Sequence, residues 1–218
     1  MTYGALKTRI ANEIADSTLS AEIILAIESA IKFYERKEFW FNSKTGTFVT
    51  VADQEYYGSA ANTDIPTLVK IASPIKVTSS GYKYDVCIVP FADIDAAQDG
   101  TRTGRPENAA YFNEQIRLYP IPDAVYTVTL AYRYRLTDLS ADADENAWTD
   151  DAEELIRQRA KMILAADVLR DVDMYNAAKE FERDAYKALK EETRARRSVS
   201  LLRTDLPSNS RYSIYTDS

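Results

Sequence analysis

The sequence predicts an α+β protein: a helical bundle of two N-terminal and two C-terminal helices, an inserted small antiparallel β domain, and an extended C-terminal tail. Apolar residues recur at helical spacing near both ends of the chain, whereas residues 115–136 alternate apolar and polar side chains as a half-buried strand does. Residues 198–218 have no helical period. The predicted divisions are 1–43 for the N-terminal helix pair, 44–137 for the β domain, 138–197 for an acidic loop and the C-terminal helix pair, and 198–218 for the tail.

The composition excludes several kinds of chemistry. The chain has 218 residues, no histidine and one cysteine, Cys87. Without histidine, the Ser–His and Cys–His nucleophile pairs and most zinc ligand sets are excluded, and we expect no cofactor. A lone cysteine cannot form an internal disulfide and fits a reducing cytosol, and its strand-like surroundings predict a packed thiol. No signal peptide or transmembrane helix is expected.

An antiparallel helix pair is predicted at the N-terminus. Thr2 is placed to cap a first helix that carries Leu6, Ile10 and Ile14 at fourfold spacing. Ser20 is placed to cap the second helix after a short loop. The pair therefore presents one apolar stripe from each helix to a shared core.

Short strands are predicted from residue 44 onward, at 47–51, 68–71, 75–78, 82–89 and 109–112. In residues 115–136 two alternating runs flank Pro120, Pro122 and Asp123. Proline cannot donate to a sheet ladder and aspartate favours turns, so we predict a hairpin with one buried and one wet face. The wet face carries Thr127, Thr129, Arg133 and Arg135.

Helices return after an acidic run of eight carboxylates in residues 138–154. Thr149 is the predicted N-cap of the third helix, since acidic residues follow it at the positive helix end. Residues 171–173 turn the chain into a last helix, whose end at 191–197 is charged on every side. A helix without an apolar face is expected to project from the body or to lie against a partner.

The tail is rich in serine yet contains large apolar side chains, as a merely solvating segment rarely does. These side chains are Leu201, Leu202, Leu206, Tyr212, Ile214 and Tyr215. The sharper hypothesis is a tail that orders on a partner's surface, and the alternative is docking on its own body.

Two groups of acidic residues suggest chemistry that ordinary structure also explains. Asp142, Asp144, Asn146 and Glu153 occupy positions of an EF-hand loop, but Ala147 stands where that loop needs glycine. Residues that cap the following helix would have the same composition, so calcium binding remains an alternative.

Paired carboxylates at Asp93 and Asp95 would suit glycoside hydrolysis, although short helical turns collect such acids for capping. Three arginines, Arg194, Arg196 and Arg197, would suit phosphates or an acidic partner, and they also complement a helix C-terminus.

Three blocks of sequence resemble head-to-tail adaptor proteins of tailed bacteriophages, the connector, tail accessory or head completion proteins bound under the portal. The opening YGALKTRIANEI…AIKFYERKEFWFN is similar to that family's N-terminal helix pair. GRPENAAYFNEQIRLYPIPDAVYTVTLAYRYRL and ADENAWTDDAEELIRQRAKMILA are similar to its sheet and third helix.

The resemblance implies a non-enzymatic structural virion protein, made in the host cytoplasm and located in the neck between capsid and tail. It implies a ring of copies, commonly twelve, that docks on the portal, receives a downstream tail protein and extends the DNA channel. DNA would pass without specific binding, which the net charge of −7 favours, and no membrane is involved.

Carried onto this chain, the resemblance assigns portal binding to Arg194, Arg196, Arg197, Leu201, Leu202, Leu206, Tyr212, Ile214 and Tyr215. A neighbouring subunit or tail protein is expected to meet Thr127, Thr129, Arg133 and Arg135. The alternative function is a tail-associated, carboxylate-dependent cell-wall hydrolase that uses Asp93 and Asp95.

Overall fold

The computed structural model describes residues 1–60, 62–97 and 102–198. Its elements follow one another as α1 (Tyr3–Glu13), α2 (Ser20–Glu35), β1 (Ser43–Val49), β2 (Tyr56–Tyr57), β3 (Leu68–Ser79), β4 (Tyr82–Ile88), α3 (Phe91–Ala97), β5 (Asn108–Phe112), β6 (Gln115–Tyr119), β7 (Thr127–Tyr134), α4 (Ala147–Asp150), α5 (Glu153–Leu164), a π-helical turn (Ala165–Leu169) and α6 (Val172–Ser198). No helix within these residues is long and apolar enough to cross a membrane.

The strands form one curled seven-stranded sheet in the order β1-β7-β3-β4-β5-β6-β2. The β4–β5 pair is parallel, whereas the other neighbours are antiparallel. The predicted helical bundle with a small antiparallel insertion is therefore wrong. The chain is a mixed α+β protein in which the sheet is a principal layer.

Part of this error comes from β3, which sequence analysis divides into two short strands. The structure joins them into one strand of 12 residues, with register shifts between Leu68 and Lys70 and between Ala72 and Ile75. Such bulges break the simple alternation while the strand continues. A long β3 pairs with both β7 and β4 and makes the sheet larger than the separate runs suggest.

The predicted hairpin in residues 115–136 is also wrong. β6 pairs with β5 and β2, whereas β7 pairs with β1 and β3 in another part of the sheet. The connection contains Ile121, whose carbonyl accepts from Gly104 N at 2.8 Å and whose N–H donates to Arg102 O at 3.1 Å. The chain between the prolines is therefore tied to a distant loop and leads away from β6.

Two large apolar cores hold these layers. The first joins α1, α2, α4, α5 and α6 around Phe39 and Trp148, whose rings meet edge to face with centroids 5.9 Å apart. The second lies on the sheet and includes Phe48, Tyr57 and Leu130. β7 leads directly from the second core toward the first.

The helix caps agree only partly with the predictions. Thr2 caps α1 as predicted, since its Oγ1 accepts from Ala5 N at 3.2 Å. Ser20 is the first residue of α2 and Leu19 stands at the cap. Thr149 is buried inside α4, where it completes a capping box with the true cap, Asn146. The acidic run therefore predicts a capped helix correctly, but the predicted cap, Thr149, lies three residues after the true one.

Two further predictions about surface and core are wrong. Cys87 is exposed, because its neighbour Val86 takes the buried parity of β4. The end of α6 does not project from the body up to residue 196, since Thr193 is buried and its Oγ1 accepts from Trp40 N at 3.3 Å. Through Thr193, the last turns of α6 therefore pack against the body of the protein, although their sequence is charged on every side.

Candidate functional site

The polar face of β7 carries three of the four residues predicted to meet a neighbour. Thr127 is exposed, and Thr129 and Arg133 are half-buried, while Val128 and Leu130 between them face the core. β7 lies between β1 and β3, so its backbone is paired on both edges. Only the side chains of this face are available to a partner.

Threonines and lysines from the neighbouring strands extend this face. Thr47 pairs with Thr129 from β1, and Lys76 pairs with the same residue from β3. Exposed Val49 lies opposite Thr127 at one end of the face. The face therefore changes from apolar and β-branched near Val49 to basic near Arg133.

A groove of about 600 Å³ lies at the basic end of this face, between the sheet and the end of α6. Four cationic side chains line it, and Glu38 is the carboxylate among the lining residues; the cations are Lys44, Lys70, Arg133 and Arg196. We call it the basic groove. It unites Arg133, predicted for a subunit contact, with Arg196, predicted for the portal.

Contacts within the chain hold the two arginines of the basic groove in place. Arg133 Nη1 donates to the carbonyl oxygen of Arg36 at 2.5 Å. Arg196 lies over the Trp40 ring, 3.6 Å from its centroid, and pairs with Glu192 at 2.6 Å. Both guanidinium groups are therefore positioned before any partner arrives.

The two lysines of the basic groove differ from its arginines. Lys44 and Lys70 are exposed and have no ion-pair partner among the residues that the structure describes. Neither lysine could be predicted as part of a site, because its position in the sequence gives no sign that it lies near the end of a distant helix.

Arg135 is separated from the other three residues of the predicted interface. It lines a different cleft, of about 780 Å³, and forms ion pairs with Glu35 at 3.6 Å and Glu114 at 3.4 Å. Burial raises the pKa of the Glu35 carboxyl, and the positive charge of Arg135 opposes that shift. Arg135 therefore pairs with Glu35, which also lines this cleft, and with Glu114, which does not.

The remaining predicted portal contacts are only partly covered by the structure. Arg194 is exposed on α6. Arg197 lies in the last turn of α6, and its side chain is outside the described residues. So are all the predicted contacts of the tail: Leu201, Leu202, Leu206, Tyr212, Ile214 and Tyr215.

Of the two carboxylates proposed for hydrolysis, Asp93 and Asp95, the second belongs to a structural ion network. Asp95 Oδ1 accepts from Arg117 Nη1 at 3.2 Å, and Arg117 Nε also pairs with Glu55. The Arg117 guanidinium lies 4.8 Å from the centroid of the Phe91 ring and is almost fully buried. Asp95 thus ties α3 onto β6, which explains why an arginine on the polar parity of β6 is buried.

The residues at calcium-loop positions are engaged with separate partners. Asp142 pairs with Lys7 at 2.5 Å, and Asp144 Oδ2 accepts from Ser140 N and Ala141 N at 2.7 Å each. Among the described residues, no group of three or more Asp, Glu or Cys side chains is placed to hold a metal ion. Asp142 and Asp144 therefore hold the loop in place, and Asn146 caps the next helix.

A second ion network joins α1 to α5 through a buried arginine, Arg157, which was not among the predicted site residues. Arg157 Nη1 donates to both oxygens of Glu13 at 2.8 Å, and its Nε pairs with Glu153 at 2.9 Å. Lys161 Nζ reaches Glu13 at 2.8 Å. Burial acts to raise the pKa of the Glu13 carboxyl, but hydrogen bonds from Lys161 and Arg157 outweigh it and hold the pKa below its ordinary value.

Comparison with known proteins agrees with the resemblance seen in the sequence. No curated protein sequence matches the chain. The family model described as SU10 adaptor protein matches residues 1–205, and this is a family of phage head-to-tail adaptors. A match over that length implies a structural role among phage head and tail proteins. The chain belongs to the SU10 adaptor protein family.

Proposed function

We propose that this adaptor assembles into a ring, of twelve copies, that docks on the portal in the virion neck, receives a tail protein and extends the DNA channel. The family match over residues 1–205 is the observation that carries the proposal. The open polar face of β7 and the basic groove support it, because Thr127 and Thr129 on the face, and Lys44 and Lys70 in the groove, form no side-chain hydrogen bond or ion pair among the described residues of one copy.

The portal side of the proposal rests on the end of α6 and on the tail. Arg194 is exposed there, and the stack of Arg196 on Trp40 directs the helix end along the body. Residues 198–218 follow from that point. A segment that orders only on its partner loses conformational entropy but contacts a large area, and repetition around a ring multiplies weak contacts.

The subunit side of the proposal rests on Thr127, Thr129 and Arg133, with Arg135 as a second contact in its own cleft. Threonines on a sheet face present β-branched surface and hydroxyl groups together, which suits a partly wet protein interface. The net charge of −7 disfavours tight binding of DNA in the channel, because tight binding depends on lysine and arginine contacts to phosphates.

Removal of residues 198–218 tests the portal side. We expect the shortened protein to keep the unfolding temperature of the full chain, because the core residues that the structure describes all precede this segment. We expect it to lose co-sedimentation with purified portal. A variant of the full chain with Glu180→Gln, an exposed change on α6, serves as the control and should bind normally. Portal binding by the shortened protein at the level of the control would refute the role of the tail.

A further inference from the structure

Two surfaces of this acidic protein, which share no residue, each carry a local excess of one sign of charge. One is the basic groove. The other is the acidic loop, residues 138–146, which contains four carboxylates and no lysine or arginine. The loop ends where α4 begins, and it does not line the basic groove.

The acidic loop is fixed on the surface of its own copy. Tyr3 N donates to Asp144 O and Gly4 N donates to Asp142 O, each at 2.9 Å, so the loop is tied to the first turn of α1. A Cβ on Gly4 would lie 2.9 Å from Asp142 Cβ, which leaves no room to shift this contact. The loop is therefore anchored to α1, and it does not line the basic groove of its own copy.

On each surface, two charged side chains form no ion pair among the described residues. Asp138 and Glu145 are exposed and form no ion pair among the described residues, and the same holds for Lys44 and Lys70 in the groove. Like charges gathered on a surface repel one another, and an opposite surface relieves that repulsion. Each copy carries one surface of each sign.

We propose that the basic groove of one copy receives the acidic loop of a second copy of this chain. The contact joins two different surfaces, so it is head-to-tail, and repetition of such a contact with a closing rotation makes a ring. The inference rests on the proposed function and names the surfaces by which the copies of the ring meet.

A contact of this kind is too weak to join two free copies firmly, and it suits copies that assemble side by side on a portal. Exposed ion pairs contribute roughly 0.2–1 kcal/mol each, so two copies bind weakly, and many copies held around a portal bind firmly. Because the charges are exposed, the contact weakens as salt rises, with a screening length of about 8 Å at physiological ionic strength.

Disulfide trapping tests the contact without any other protein. In a Cys87→Ser background, Thr45→Cys places a thiol in the groove and Ala143→Cys places one in the loop; both positions are exposed. Under mild oxidation at low salt we expect a ladder of multimers beyond the dimer. The matched control combines Thr45→Cys with Ala177→Cys, an exposed position on α6, and should give no ladder above random collision.

Charge reversal then tests whether attraction between opposite charges holds the basic groove and the acidic loop together. Lys44→Glu with Lys70→Glu, added to the trapping variant, should lower the ladder about tenfold, as loss of two ion pairs and gain of repulsion imply. Asp138→Lys with Glu145→Lys should lower it equally. The protein with all four reversals should recover the ladder, which a general loss of folding would not do.

The outcomes separate this inference from the proposed function. A ladder no stronger than that of the control, or one unaffected by charge reversal, overturns the inference. If rings still form on purified portal in that case, the proposed function stands and the copies meet by other surfaces. If Lys44→Glu with Lys70→Glu instead removes binding to duplex DNA and leaves the ladder intact, the groove faces phosphates and the inference is also overturned.

Discussion

At the scale of single residues, buried arginines decide how the layers are joined. Arg157 lies between α1 and α5 with Glu13 and Glu153, and Arg117 lies between β6 and α3 with Glu55 and Asp95. A buried guanidinium keeps its charge, so removal of one partner leaves the others desolvated and unpaired. These two residues therefore add directional contacts to the apolar packing between the elements.

Arg157→Leu tests the first of these networks. We expect the free energy of unfolding at pH 7 to fall by about 2 kcal/mol, less than for a fully buried pair because Glu13 keeps some contact with water. Urea titration measures this change. Arg183→Leu, at an exposed arginine that pairs with its neighbour Asp184, is the control and should change stability little. Equal effects at the two sites would contradict the account.

The pH dependence of stability tests the Glu13 carboxyl itself. Its pKa is lowered by folding, so its ionised form stabilises the fold above the ordinary pKa of about 4.3, and that contribution disappears as pH falls through the lowered value. We expect Glu13→Gln to destabilise the protein at pH 7 and to differ little from the unchanged chain near pH 2.5. Thermal unfolding across that range measures the difference.

Glu180→Gln is a suitable comparison for this pH series, because Glu180 is exposed on α6. Its difference from the unchanged chain should stay small at every pH. A Glu13→Gln difference that stays constant from pH 7 to pH 2.5 would mean that ionisation of Glu13 does not contribute.

Residue-level predictions from the sequence succeed where the cause is local. Thr2 caps α1 because capping depends on the next three residues only. Thr149 was misplaced because Asn146, three residues earlier, satisfies the same donors and turns Thr149 inward. Lys44, Lys70 and Arg196 meet through tertiary contacts, and no local pattern could have brought them together.

At the scale of elements, the sheet depends on how strands find partners far away in the chain. Alternation locates the strands correctly in residues 115–136 but says nothing about which neighbour each one takes. β6 and β7 are adjacent in sequence and pair with different strands. Pro120 and Pro122 in the connection have no N–H to donate to a sheet ladder. Their presence is consistent with a turn between paired strands and equally consistent with two strands that do not pair.

Gly46→Ala tests the close approach of β1 and β7. A Cβ at Gly46 would lie 2.6 Å from Tyr132 Oη and 2.9 Å from Tyr132 Cε1. The ring must move, so we expect a loss of about 1–3 kcal/mol in the free energy of unfolding. Thr45→Ala, one residue away and exposed, should be nearly neutral.

A double-mutant cycle with Tyr132→Leu identifies the cause of that loss. Tyr132→Leu is destabilising alone because it removes a buried ring, yet it also removes the atoms that a new Cβ would meet. The double variant should therefore cost less than the sum of the two single changes. Strict additivity would show that the ring is not what excludes a side chain at position 46.

At the scale of the whole molecule, helical and sheet cores combine in one chain whose outer surfaces are unequal in charge. The helical periods at both ends of the chain predict the helices. They do not predict the size of the sheet, which the long strand β3 and the parallel β4–β5 pair make a principal layer of the fold. The family was predictable because it depends on the order of blocks along the chain. The charged surfaces were not, since they arise where distant elements meet.

Electron microscopy of the full-length protein mixed with purified portal tests the central claim most directly. The account predicts a ring of copies seated on one end of the portal, with a channel continuous through both and weaker decoration as salt rises. Portals that remain bare at high adaptor concentration and low salt would contradict it.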